Sequence, residues 1–330
     1  MFHFKAITPK MKTLNYTIER FMPIVTPSGV ILGLLLGSRI SWMKSSVTWL
    51  FGFLTFCGAL GIGIKDVRKT LKRPKFVLVF LLSANVILPC IAWMISSLCF
   101  PTQKDLVSGY MLLKATPTAV VGSIWSNIYG GNGAISLTVL LLDTLLAPLL
   151  TPLTMKIFTH TSVAIDSLGM MRSMTLMVVI PSLLGILINQ VSKGKVNRNI
   201  TPCLKPFSKA ALLLVIIINT SQIADQLIRN ASWNYIPIAL VCAILAAVGF
   251  PISYGICRLS KLDKESSISI TFASSLRNIS AALVLAIDYF TPQAALPVIF
   301  GIVFQQSICA IMGHFLFRNN KIKIVKGASV

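Results

Sequence analysis

The feature that most constrains this chain is a succession of apolar stretches that carry almost no charge. Ten run along it, at 22–38, 47–64, 76–100, 108–129, 134–157, 174–191, 209–224, 234–257, 267–289 and 294–317. A bilayer core about 30 Å thick is crossed by roughly 20 residues of helix, so each is a candidate span. Those at 22–38, 47–64 and 209–224 are short, and 108–129 is the most polar of the first five. Only 12% of the 330 residues are charged and 55% are hydrophobic, against about 25% charged in soluble domains. Too few charges remain to cover a water-facing surface. A soluble enzyme, a secreted disulfide scaffold and a disordered chain are excluded for the whole chain. The expected fold class is an all-α membrane protein in contact with the lipid bilayer.

The remaining charge is lopsided, with 30 Lys and Arg against 9 Asp and Glu. A soluble chain of this kind would point to nucleic acid; an apolar one points to basic loops held on one side of a membrane, with no nucleic-acid partner. Alternating the loops puts 22 basic residues on one side: Lys5, Lys10, Lys12 and Arg20, six from Lys65 to Lys75, Lys193 to Lys209, Arg258, Lys261 and Lys264, and Arg318 to Lys326. The other side holds six (Arg39, Lys44, Lys104, Lys156, Arg172, Arg229), and Lys114 and Arg277 fall inside spans. That split predicts ten spans in the cytoplasmic (inner) membrane with both termini cytoplasmic. The first span reads as retained, because no small-residue cleavage site follows it. Six of the seven cysteines (Cys57, Cys90, Cys99, Cys242, Cys257, Cys309) lie in or at the ends of spans, Cys203 lies in a cytoplasmic loop, and no C-x-x-C pair exists. They read as small apolar residues, not as disulfides or metal ligands.

The chain divides at the more polar stretch 158–173, giving a basic tail (1–21), a first five-span half (22–157), a linker (158–173), a second half (174–317) and a basic tail (318–330). Five is odd, so a duplicated second half sits upside down relative to the first, as in inverted-repeat secondary transporters. The third span of each half carries a proline, Pro89 and Pro251. The fourth carries helix-weakening polar residues: Pro117, Thr118, Gly122 and Ser123 in one, Ser274, Ser275, Arg277, Asn278 and Ser280 in the other. Irregular spans at matching positions point to a binding site at the membrane midplane. The bland alternative is that they kink packed helices.

Three runs carry a resemblance: Ala115–Gly122 (ATPTAVVG) with Gly130–Ser136 (GGNGAIS), Asp143–Pro152 (DTLLAPLLTP), and Ser274–Ala286 (SSLRNISAALVLA) with Leu296-Pro297. Together they resemble the fourth, fifth, ninth and tenth spans of the bile acid:sodium symporter family. The resemblance implies a core domain and a panel domain, broken fourth and ninth helices that cross at the midplane, and transport of organic anions, often with sodium. The family's sodium oxygens come from an S-N pair in span four and an E-x-x-x-Q-N pattern in span nine. Aligned on the proline, the S-N pair falls on Gly122 and Ser123; a gapped alternative uses Ser126-Asn127. In span nine the Glu position is Ala273 and the Gln position is Arg277, while Asn278 and, in span five, Ser136 are kept. A site that loses a carboxylate and gains a guanidinium disfavours Na⁺. The expectation is a family transporter of a small organic anion without sodium coupling, with no cofactor and with H⁺ as the remaining candidate coupling ion.

Charges at bilayer depth are costly and mark functional positions. Arg277 and Asp143 each lie about ten residues into a span from the cytoplasmic side, about 15 Å deep. Asp143 is the only acid well inside a span, and an arginine there needs a partner. Arg277 could replace the coupling cation, fix the broken helix and attract the anion; Asp143 could carry a proton; or the pair could simply pin helices. Lys114 reads as lining the outer vestibule or snorkelling to the interface. Asn85, Gln305, Gln306 and His314 are the other polar residues in spans. Gln305 and Gln306 are assigned a substrate role, with helix-to-helix hydrogen bonding as the alternative. No H-E-x-x-H motif, Walker A sequence or second intramembrane acid is present, so an enzyme is not expected. An auxin-efflux-carrier-like permease of organic acids and a non-transporting membrane sensor stand as alternatives.

Overall fold

The computed structural model describes residues 25, 27–63, 74–159, 166–229 and 235–318. The basic tail 1–21, nearly all of the 65–75 basic cluster, the middle of the 158–173 linker and the tail beyond Arg318 lie outside the described residues.

The described chain is helical, and no strand occurs among the described residues. In order, it forms α1 (27–36), a 3-10 segment (Gly37–Ser46), α2 (Val47–Ala59), α3 (Pro74–Cys99), α4 (Lys104–Ala115), α5 (Val120–Ile128), α6 (Gly133–Phe158), α7 (Ser167–Val191), α8 (Thr201–Gln222), α9 (Tyr235–Leu259), α10 (Lys264–Ser275), α11 (Ile279–Tyr289) and α12 (Pro292–Phe317). Six of these, α3, α6, α7, α8, α9 and α12, are long and apolar enough to cross a membrane. Large apolar side chains such as Leu35, Trp49, Leu98, Leu187, Ile311 and Phe315 face outward, which suits a lipid solvent and not water.

Helix starts follow local chemistry. The Asn132 side chain accepts from the N–H groups of Ala134 and Ile135 at 3.0 and 3.2 Å to start α6. Asp263 accepts from Ser266 N at 3.0 Å to start α10. These side chains satisfy amides that the first helical turn leaves without partners.

Two helices widen into π turns, at Leu82–Ile87 in α3 and Thr175–Val179 in α7. Each lies just ahead of a proline, Pro89 and Pro181. A proline has no N–H to give the carbonyl four residues earlier and its ring crowds that carbonyl; the widened turn accommodates both. The pairing of Pro89 with Pro251 as matching irregularities does not carry through, because α9 runs unbroken past Pro251.

The helices pack in two groups. The 3-10 segment, α2, α7 and α8 pack on one another. So do α3, α4, α5, α6, α9, α10, α11 and α12. α6 packs on α7, and α8 on α11, across the two groups. The main apolar core includes Phe51, Tyr110, Met111, Met174, Val215, Leu283 and Val298. An aromatic stack of Tyr129, Phe272 and Phe317 fills one end of the second group, with Tyr129 and Phe272 ring centres 5.6 Å apart.

Candidate functional site

Two helices that the sequence marks as irregular are broken. α4 stops at Ala115 because Thr116, which precedes a proline, is held extended, the conformation that position favours. The helix resumes at Val120 as α5. α10 stops at Ser275, Leu276 is extended, and α11 resumes at Ile279 with the Asn278 side chain accepting from Ala281 N at 3.2 Å.

Such breaks leave backbone groups unpaired, which is tolerated at membrane depth only when protein or water satisfies them. Here each break satisfies the other. Ala119 N donates to Leu276 O at 2.9 Å, Asn278 N donates to Pro117 O at 2.7 Å, and Thr118 and Arg277 lie opposite one another as an antiparallel bridge. Gln305 of α12 completes the pairing: Arg277 N donates to its Oε1 at 3.2 Å, and its Nε2 donates to Arg277 O at 3.0 Å.

The side chains converge on the same point. Arg277 Nη1 lies 3.1 Å from Asp143 Oδ2, with both side chains almost fully buried. That oxygen also accepts from Thr118 N at 2.7 Å and lies 2.9 Å from Thr118 Oγ1. The single Thr118 hydroxyl proton is shared between this oxygen and Ala273 O, 3.0 Å away. Asn85, on the π turn of α3, bridges the pair: its Nδ2 donates to Asp143 Oδ1 at 3.0 Å and its Oδ1 accepts from Arg277 Nη2 at 3.1 Å. Only this orientation of the amide serves both partners.

Both guanidinium Nη atoms of Arg277 are thus engaged, each with one partner. Its Nε is buried without a partner, as are Ser274 Oγ and Ser275 Oγ. Asp143 has donors on both oxygens. The cluster presents a satisfied ion pair, and the position that would bring a family carboxylate, Ala273, brings only a methyl group and a carbonyl.

The other sequence-selected residues divide. Ser126 joins a second cluster, accepting from Ser136 Oγ at 2.9 Å and lying 3.1 Å from Ser269 Oγ. Gly131 lies over these hydroxyls, and a side chain there would collide with Ser126. Gly122 packs its bare backbone against Phe272 O, 3.2 Å from where a Cβ would stand. Ser123 turns back to Val120 O at 2.7 Å, and Asn127 is exposed. Gln306 accepts from Trp125 Nε1 at 3.3 Å. Lys114 is buried within the protein, at 5% exposure.

Asn85 is the residue whose role the sequence did not give. Its signal was present as a lone amide deep in an otherwise apolar span, but its partners lie 58 and 192 positions away.

A profile described as the sodium bile acid symporter family matches residues 48–230. The chain belongs to the sodium bile acid symporter family. Bacillus subtilis YbaS, described as an uncharacterized protein, is 35% identical over 90% of this chain and 97% of its own length. The probable sodium/metabolite cotransporter BASS1 of Arabidopsis thaliana is 25% identical over 89% of this chain and 72% of its own. The uncharacterized sodium-dependent transporter YocS of B. subtilis is 23% identical over 81% of each. As a member of the sodium bile acid symporter family with six long apolar helices, the chain is a multi-pass membrane transporter and not an enzyme. That membership sets aside the auxin-carrier and sensor alternatives.

Proposed function

We propose that this protein carries a small organic anion across the cytoplasmic membrane by alternating access, without being driven by a sodium gradient, through uniport, exchange or proton coupling. The observation that carries the reading is the Arg277–Asp143 ion pair at the crossing of the two broken helices. In the family's pattern, position 277 would bring an oxygen to a sodium ion. Here a tethered guanidinium occupies that surrounding and takes the acceptors a metal ion would need. Its charge holds the two breaks together whether or not sodium is present.

Several features support ten spans in two inverted halves. The six long helices, the broken pairs α4–α5 and α10–α11, and the shorter α1 and α2 follow the order of the ten apolar stretches. Loops assigned to one membrane face meet each other: Asn189 Nδ2 donates to Ile62 O at 2.9 Å, and Asn132 N to Glu265 O at 3.3 Å. Those assigned to the other face also meet, with Lys44 3.0 Å from Asp288 and Tyr289 Oη donating to Gly169 O at 2.8 Å. The packing group of the 3-10 segment, α2, α7 and α8 fits a panel, and the group around the crossing fits a core. Alternating access then moves the crossing between the two faces as one piece.

The names of BASS1 and YocS favour a second reading, sodium-driven uptake. Uptake of organic anions into proteoliposomes, with an imposed sodium gradient and with potassium in its place, decides between them. Equal rates are expected. A sodium gradient that raises uptake severalfold would overturn the proposal.

A further inference from the structure

Asp143 neutralises one of two cations buried among these helices. The other, Lys114, has no hydrogen bond or ion pair with any described residue, although it is 95% removed from solvent. The carbonyls near it at the end of α4 are occupied: Leu112 O accepts from Thr116 N and Oγ1, and Ala115 O accepts from Thr151 Oγ1.

Three elements meet at its Nζ. Gly249 of α9 faces it, and a Cβ built there would stand 3.6 Å from Lys114 Nζ and 3.5 Å from Ser275 Oγ of α10. Ser275 Oγ is itself buried without a partner. The missing side chain of Gly249 therefore leaves a gap between an ammonium and a hydroxyl. The groups around it are donors. Arg277 lies within electrostatic reach, its Nε free. Cys242 of α9 donates its thiol to Pro297 O of α12 at 3.1 Å, and Tyr110 of α4 donates to Ile238 O of α9 at 2.8 Å. Asp143 is fully engaged, so no acid is left to neutralise Lys114.

We propose that Lys114, Ser275 and the open face of Gly249 form a buried subsite for a small monovalent anion, a carboxylate group or a halide. The subsite rests on the reading of this protein as an anion carrier without sodium coupling. An ammonium beside a buried hydroxyl that lacks a partner is the complement of an anion, and an unpaired ammonium in this interior is costly. An anion seated in the gap would supply the neutralising charge that no described side chain gives Lys114.

The test uses the purified full chain in sodium-free potassium salts. Potassium chloride or potassium acetate should raise Tm saturably over potassium gluconate in the wild type. A rise with acetate alone identifies the carboxylate of a cargo; a rise with both identifies any small monovalent anion. Lys114→Met removes an uncompensated buried charge, so it should fold at least as well as wild type yet show no anion-dependent shift. Gly249→Ala adds a methyl group at ordinary contact distance and should weaken apparent anion affinity at least about tenfold.

Lys114→Arg keeps the positive charge and should retain the anion-dependent shift. A wild type indifferent to both anions, or a Lys114→Met variant that keeps the shift, would overturn the subsite. Sodium-driven transport with the Lys114 responses intact would overturn the proposed function and leave the subsite standing. Sodium-independent transport with those responses absent would do the reverse.

Discussion

Arg277 cannot discard its charge at this depth, and that decides what surrounds it. A buried ion pair is a weak source of net stability, but losing one partner costs about 3–5 kcal/mol because the other is left uncompensated. Asp143→Asn should therefore lower Tm by several degrees more than the double variant Asp143→Asn, Arg277→Gln. Arg277→Gln should fall by less than Asp143→Asn, since a lone carboxylate can take up a proton. Thermal denaturation of the three variants in one detergent checks the order. A double variant no more stable than Asp143→Asn would show that the two charges do not compensate each other. The partnership was legible in the sequence by elimination, because Asp143 is the only acid well inside an apolar stretch. Asn85 was not, because an amide bridging two charged groups has no spacing signature; only the fold brings residues 85, 143 and 277 together.

At the scale of the element, the two helix breaks behave as a short two-stranded pairing closed by a side chain. Gln305 takes the place of a third strand, accepting from Arg277 N and donating to Arg277 O. Gln305→Leu leaves Arg277 N without its partner, at about 1–3 kcal/mol for a buried group, and leaves Arg277 O with Ile279 N, 2.9 Å away. Gln305→Glu keeps the acceptor and loses the donor, so its loss of Tm should fall between wild type and Gln305→Leu. Transport should follow the same order if the break must hold its shape to form the site. Gln305→Leu matching wild type in both measurements would remove Gln305 from the support of the break. That these helices break was legible, since Pro117 and the Ser274–Asn278 run weaken a helix locally. That Gln305 supports the backbone was not legible, because an extended break needs a hydrogen-bond partner and sequence spacing does not say which helix supplies it. The π turns ahead of Pro89 and Pro181 divide in the same way. The prolines are visible in the sequence, whereas the choice of a π turn over a kink depends on what the helix packs against.

At the scale of the whole molecule, the two packing groups share one apolar core and meet through polar contacts at one end. Lys44, in the 3-10 segment, pairs with Asp288 near the end of α11, with 47% and 31% of the two side chains exposed. Nearby, Tyr289 Oη donates to Gly169 O. If transport moves the group containing the crossing against the other, these bonds must open in each cycle. They bias the protein toward the arrangement described here. An exposed pair of this kind is worth up to about 1 kcal/mol, which corresponds to about a fivefold change in the ratio of two conformations. Lys44→Gln and Asp288→Asn should each shift that ratio toward the open arrangement. The double variant should shift it no further, because either change alone already removes the pair. Spin labels at Ser45 and Gln293, both exposed, should then show a larger population at long distance in either single variant, and raised salt should produce the same change in the wild type. A distance distribution unchanged by both substitutions and by salt would mean that the pair rides with a rigid body and that the protein opens elsewhere.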